Sequence, residues 1–230
     1  MHTYPLFLSL AQRRILVVGA GKVGRRKIAA LLPCCPEEIL VLDIRPPSSP
    51  EMVELLASPC LTFRQMYAGE SVEAAHIAGR FLVFAATNSR SVNAHVASLC
   101  REAGVLCNIA DSPAESSFHV PALLHSGPLA VAVSTGGKSP ALARRIGKEM
   151  SAWLDGRYGA LMTVMGRLRP YVAAFGNNQE ENGKLFGALA GSSLGDLLAA
   201  KDMAGARELL RGLLPTPLHH CIEEVLDEPF

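Results

Sequence analysis

No C-x-x-C pair occurs in the 230 residues, and no Cys/His spacing suits a tetrahedral zinc site, although there are six cysteines. Cys34, Cys35, Cys60, Cys100, Cys107 and Cys221 therefore read as free thiols in a reducing compartment. Charge is sparse and balanced, with 22 basic against 21 acidic side chains and a net of +1. That excludes attachment to nucleic acid through a global electrostatic field, and any anionic ligand must be met by a local cluster. No stretch reaches the ~18 apolar residues of a membrane span. The apolar run Pro5–Ala11 has no basic residue before it and Arg13-Arg14 after it, the reverse of a secretion signal. A soluble, cytoplasmic protein is expected, with no nucleic-acid or membrane partner. Internal repeats and low-complexity linkers are also missing.

Apolar residues, by contrast, make up 49% of the chain, enough for a well-buried core, and the length allows one large or two small domains. The first half alternates short β-branched runs with longer helical patterns. Strands are expected at Arg14–Val18, Ile39–Asp43, Thr62–Gln65, Phe81–Ala86 and Val105–Ile109. Helices are expected near Gly24–Leu32, Pro50–Ala57, Ser71–Ala78 and Ser91–Ala103. Continuous apolar strands such as Ile39-Leu40-Val41-Leu42 belong in a parallel sheet covered on both faces. The βαβαβ rhythm predicts a doubly wound α/β sheet.

The texture changes after Asp111. Phe118–Leu124 and Pro128–Val133 read as two strands joined by a hairpin turn at His125-Ser126-Gly127. Ser139 as N-cap with Pro140 at the first helical position starts a helix over Ala141–Trp153. From Asp155 onward the pattern is helical, with a break at Gly176-Asn177-Asn178. Asp202 caps a helix whose apolar face carries Met203, Ala206, Leu209, Leu210 and Leu213. Glu223, Glu224, Asp227 and Glu228 read as a solvated acidic end. The expected division is a nucleotide-binding domain at 1–112, a small α+β segment at 113–150 and a helical domain at 151–230.

Chemistry concentrates at the first strand. Arg14–Val18 runs into Gly19-Ala20-Gly21-Lys22-Val23-Gly24, a G-x-G-x-x-G sequence between a strand and a helix. Gly19 allows the tight turn, Gly21 lets a pyrophosphate approach the backbone, and Gly24 lets helix and strand pack closely. Lys22 and Val23 lie in the first helical turn, whose free N–H groups attract phosphate. A second strand ends in Asp43, beside Ile44, where a carboxylate can hold both hydroxyls of an adenosine ribose. The strand that follows ends in Ala85-Ala86-Thr87-Asn88 at the same sheet edge. These features predict a Rossmann-type domain with NAD as cofactor. Asp43 would repel the 2′-phosphate of NADP, a preference that Arg45 softens.

The last strand delivers Asn108-Ile109-Ala110-Asp111 to the nicotinamide end of that crevice. Asp111 could act as acid or base there; followed by Ser112-Pro113, it is equally explained as a turn former. His119 and His125 flank the next strand, but two histidines without a carboxylate at ligand spacing are more often structural, and no metal site is assigned.

From Pro5-Leu6-Phe7 through the glycine motif, Arg26-Lys27, Ala85–Asn88, Asn108–Asp111, Ser117-Phe118-His119-Val120-Pro121 and Leu129–Arg144, the chain resembles the dehydrogenase/ferrochelatase part of siroheme synthase. This family includes the precorrin-2 dehydrogenases. The resemblance covers about residues 1–150, and nothing after it resembles the methyltransferase module of the fused synthases. It implies that NAD accepts a hydride from precorrin-2 to give sirohydrochlorin; bifunctional members of the family also insert ferrous iron, and the nearest rival within the family is a chain that does only one of these reactions. It makes Asp111 the acid/base residue and implies a homodimer paired through the segment after Asp111. It also implies a tetrapyrrole ringed with carboxylates, which suits the acid-free cluster Lys138, Arg144, Arg145 and Lys148 and the backbone N–H groups at Gly136-Gly137. Asn108, Ser134, Thr135, Gly136, Lys138 and Arg144 are the candidate substrate-binding residues. The rival from another class is a nucleotide-sensing regulatory domain, which would need the glycine motif but not the block from Ser117 to Arg144. A redox-sensing repressor would need a winged-helix DNA reader, and none is found.

Overall fold

A computed structural model describes residues 3–67, 69–126, 129–154, 157–176 and 178–227. By their contacts they form two compact units, Met1–Val120 and Pro121–Phe230. The segment 113–150 that stands apart in the sequence straddles that division.

The first unit is built on five parallel strands, β1 (Arg14–Val18), β2 (Glu38–Asp43), β3 (Leu61–Gln65), β4 (Leu82–Ala85) and β5 (Leu106–Ile109), in the order β3-β2-β1-β4-β5. Alternation along β1 sends Ile15 and Val17 to one face, with Ile28 of α1 (Lys22–Leu31) and Met52 of α2 (Pro50–Leu55). Leu16 and Val18 go to the other, with Ile77 of α3 (Ala74–Ile77) and Val96 of α4 (Arg90–Glu102). A strand covered on both sides must be apolar at successive positions, which is why these runs lack the polar alternation of a half-exposed strand. The expected doubly wound sheet is therefore present. Chain order reverses between β1 and β4, so a crevice opens where the loops after those two strands leave the sheet's carboxyl edge.

Edge strand β5 is laced by the chain that follows. The Ser117 hydroxyl accepts from the Cys107 amide at 2.7 Å, the Ser117 amide donates to the Cys107 carbonyl at 2.8 Å, and the Ser116 hydroxyl accepts from the Ile109 amide at 2.8 Å. These bonds satisfy an otherwise open edge. They also correct the expected strand Phe118–Leu124: residues 116–118 are committed to β5, and the strand begins only at Ala122.

In the second unit β6 (Ala122–Ser126) and β7 (Leu129–Val133) pair antiparallel. His125 and Ser126, expected in the hairpin turn, belong to β6 instead; Gly127 of that turn and Pro128 of the next expected strand lie outside the described residues, as do Asn177 of the expected helix break, Asp155 and Glu228. Helix α5 (Pro140–Leu154) starts as expected, with the Ser139 hydroxyl accepting from the Leu142 amide at 3.2 Å. Helices α6 (Arg157–Ala174), α7 (Gln179–Ala190), α8 (Leu194–Ala199), α9 (Met203–Leu213) and α10 (Ile222–Leu226) complete the unit around Val164, Leu168, Leu189, Leu194 and Leu210. Asp202 caps α9, accepting from the Gly205 amide at 2.9 Å. The acidic end is not simply solvated: Glu223 takes two bonds from the Arg207 guanidinium, at 2.7 and 2.9 Å, while Ile222, Val225 and Leu226 are buried. No described helix is long and apolar enough to cross a membrane.

Candidate dinucleotide site and its acidic neighbour

The glycine loop is shaped by close backbone approach. Gly19 has φ +100°, and a Cβ on it would lie 2.6 Å from the Ala86 carbonyl oxygen. A Cβ on Gly24 would fall 1.8 Å from the Gly19 carbonyl oxygen, so α1 is pressed against the turn that precedes it. At Gly21 a Cβ would meet nothing within 4 Å. Gly19 thus makes the turn its φ allows and Gly24 the close packing suggested for it, while Gly21 keeps open space in front of the helix. No acidic residue occupies the first turn of α1, and no side chain caps it. Its positive end is consequently available to an anion.

Asp43 does more than its position predicted. Its Oδ2 accepts from the Ala20 amide at 2.5 Å and its Oδ1 from the Arg45 amide at 2.8 Å. The carboxylate braces the glycine loop against the end of β2, and each oxygen retains a lone pair for a further donor. Two cavities adjoin it. The larger, about 810 Å³, is lined by Gly19, Gly21, Asp43, Ile44, Thr87 and Asn88, with apolar walls from Val18, Leu42, Met66 and Val92. The smaller, about 410 Å³, is bounded by Gly21, Lys22, Arg25, Asp43, Arg45 and Asn88. The larger has the size and mostly apolar lining of a cofactor pocket. Of the cations after the motif, Arg25 donates to the Ala20 carbonyl at 3.0 Å. Lys27 instead lies over the Phe84 ring, 5.6 Å from its centroid. Burial, and then repulsion from Arg26, bring the Lys27 amine down to about 8.

At the end of β5, Asp111 is exposed at the same sheet edge. Its Oδ1 accepts from Asn93 Nδ2 at 2.9 Å. The short helical turn after it, Pro113–Glu115, is tied to α4 by an ion pair between Glu115 and Arg90. The Glu115 carboxyl is held below the usual carboxylate range by a hydrogen bond from Ser112 and then by Arg90. Asn108 is buried, and its Nδ2 donates to the Phe118 carbonyl at 3.0 Å.

Asn93 escaped the sequence reading, although a signal was present. It occupies the buried stripe of α4 with Val96, Ala97 and Cys100, a polar residue where an apolar one is due.

The remaining candidates lie in the other unit. Gly136 and Gly137 both take positive φ, +61° and +79°. The Ser134 hydroxyl accepts from the Gly136 amide at 3.2 Å, and the Thr135 hydroxyl from the Ser139 amide at 3.1 Å. Lys138 and Arg144 are exposed there. Among the described residues no group of three or more His, Cys, Asp or Glu side chains is placed to hold a metal ion.

A doubly wound sheet with a glycine loop at its switch point and an acid closing β2 defines a dinucleotide-binding protein. The chain belongs to the family described as "Putative NAD(P)-binding", whose model matches residues 6–122. Residues 126–151 match the model described as "Sirohaem biosynthesis protein central". Among curated proteins the chain is similar to siroheme synthase 1 of Aeromonas salmonicida, with 35% identity over 91% of this chain and 43% of that one. It is also similar to the siroheme synthase of Nitrosomonas europaea, with 37% identity over 75% of this chain and 35% of the other. The chain therefore spans less than half the length of these relatives. A solved structure titled "SirC, precorrin-2 dehydrogenase" superposes with a TM-score of 0.73 at 25% identity, covering 92% of this chain and 98% of that one. The resemblance drawn from the motifs holds across both units.

Proposed function

We propose that this chain is an NAD-dependent precorrin-2 dehydrogenase of siroheme biosynthesis, with ferrous iron insertion into sirohydrochlorin as a second activity. The observation that carries the reading is the Asp111 carboxylate, presented at the same sheet edge as an open glycine loop. Gly19, Gly21, Lys22, Val23 and Gly24 would hold the pyrophosphate, Asp43 the ribose hydroxyls, and Ile44, Thr87 and Asn88 the walls of the adenosine pocket. When bound, NAD supplies the hydride acceptor.

Oxidation of precorrin-2 removes one hydride and one proton, and Asp111 takes the proton. Metal insertion releases two pyrrole N–H protons as ferrous iron enters the ring, and the same carboxylate can receive them in turn. The loop Ser134, Thr135, Gly136 and Lys138, with Arg144, would meet the substrate's carboxylates; Asn108, buried with its Nδ2 donating to the Phe118 carbonyl, would instead steady the strand that presents Asp111. Segment 1–112 would then carry the cofactor and 113–150 substrate and pairing, followed by the helical domain at 151–230.

Purified protein incubated with precorrin-2 should form sirohydrochlorin and NADH only when NAD is present, and siroheme on adding ferrous iron, as followed by absorption spectra. Binding of NAD without any turnover would instead favour a nucleotide sensor.

The proposed assembly is a homodimer. A two-stranded sheet is marginal alone, and Leu123 of β6 with Leu142 and Trp153 of α5 are exposed large apolar side chains. Light scattering should give twice the 24.5 kDa of one chain; a strictly monomeric mass at working concentration would overturn this.

A further inference from the structure

We infer that Asn93 is the residue that positions Asp111 for proton transfer, and that it couples this carboxylate to the loop lining the dinucleotide pocket. The inference rests in part on the dehydrogenase reading. It begins from burial: the Asn93 side chain is fully enclosed at 0% exposure, on the first turn of α4. A buried carboxamide is costly unless its two donors and its acceptor oxygen are used.

All four bonding positions of the amide are used here. Nδ2 donates to the Thr87 carbonyl at 3.1 Å and to Asp111 Oδ1 at 2.9 Å. Oδ1 accepts from the Thr87 hydroxyl at 2.7 Å and from the Thr87 amide at 3.2 Å. The orientation of the amide is thereby determined. Turned over, it would set its NH2 against the Thr87 amide N–H and its oxygen against a carbonyl and a carboxylate. Thr87 is itself anchored, its hydroxyl accepting from the Ser89 amide at 3.2 Å. The chain of bonds runs from the cavity wall at Thr87, through a side chain that solvent does not reach, to one oxygen of Asp111.

This arrangement constrains the carboxylate in two ways. Asn93 engages Oδ1, which fixes the rotation of the carboxyl group and leaves Oδ2 as the proton acceptor. It also ties the carboxyl group to the Thr87 loop, since the same Nδ2 donates to the Thr87 carbonyl. Since Asn93 is buried, it acts on the reaction only through Asp111 and is a positioning residue. Its link to Thr87 means that displacement of the pocket wall is transmitted to the base.

The sharpest variant is Asn93→Asp. It keeps an oxygen toward the Thr87 amide and exchanges the NH2 that faces Asp111 and the Thr87 carbonyl for a second carboxylate oxygen, so a donor is replaced by a like charge. We expect kcat for precorrin-2 to fall by at least roughly 10- to 100-fold, the range of a lost hydrogen bond to a charged group, which the added charge increases. The dissociation constant for NAD should stay within about twofold. In an Asp111→Asn background the same substitution should cost less than about twofold, because its target is already disabled. Losses that multiply in the double variant, or an NAD affinity that falls in step with kcat, would mean that Asn93 merely holds the loop together, and the inference would be wrong.

Thermal melting identifies a variant that fails to fold. Should Asn93→Asp fail in this way, Asn93→Ala removes the donor without adding a charge, and the same cycle is read with it. A separate measurement needs no substrate: the side-chain amide protons of Asn93, observed by nuclear magnetic resonance, should shift when Asp111 becomes Asn. If they do not move, the positioning inference fails whatever the turnover. If they move but wild-type protein never oxidises precorrin-2, the dehydrogenase reading fails and the Asn93–Asp111 coupling stands.

Discussion

Asp111→Asn should lower the rate of precorrin-2 oxidation by roughly 10²–10⁴-fold, the contribution of one positioned acid or base, with NAD affinity unchanged. The expectation of intact binding comes from placement: Asp111 lines neither cavity beside the glycine loop. The fold should survive as well, since an asparagine at 111 can still accept from Asn93 Nδ2 and is well suited to the turn into Ser112-Pro113. What is lost is basicity alone. Iron insertion should fall in parallel, because stripping pyrrole protons needs the same group. Steady-state rates, calorimetric NAD binding and a thermal melt on one preparation separate these effects. Near-normal turnover would reduce Asp111 to a turn former and make His119 the next residue to test, as an exposed imidazole eight positions along.

The second large effect is at the loop. Gly21→Asp should abolish NAD binding, weakening it by about 100-fold or more, as a carboxylate facing a pyrophosphate at close range does. The fold should barely notice, because the new Cβ enters space with nothing within 4 Å and the backbone at Gly21 is ordinary extended chain, φ −66° and ψ −177°. Gly24→Ala is the contrast. One methyl group there lies 1.8 Å from a backbone oxygen, so helix or turn must shift, and about 4 kcal/mol or more of stability should be lost. Both variants lose binding, but only Gly24→Ala should lose melting temperature. Calorimetry and melting curves together distinguish them. If Gly21→Asp bound NAD normally, the pyrophosphate would not lie on this loop.

The nucleotide half was legible because its signals are short-range. A strand, a turn that only glycine can make, a helix start and an acid at the end of the next strand all follow from neighbouring residues. The handedness of parallel connections then orders the strands. The crowding at Gly24 and the positive φ of Gly19 match the close packing and the tight turn their places in the motif suggested. The α9 cap at Asp202 and the α5 cap at Ser139 were readable for the same reason.

Other features depend on which distant residue answers an unsatisfied group. Ser116 and Ser117 look like loop residues until the open edge of β5 needs partners for its amides. Glu223 looks solvated until Arg207, sixteen positions earlier, folds back onto it. Asn93 looks like a flaw in an apolar stripe until Asp111 and Thr87 converge on it. For the serines and Asn93, local pattern alone settled that a polar group would need a partner, since burial and edge formation follow from it, whereas Glu223 stays largely exposed beside Arg207. Which partner answers depends on the packed fold, because many donors and acceptors are chemically equivalent and the choice among them is made by where the sheet and helices bring the chain.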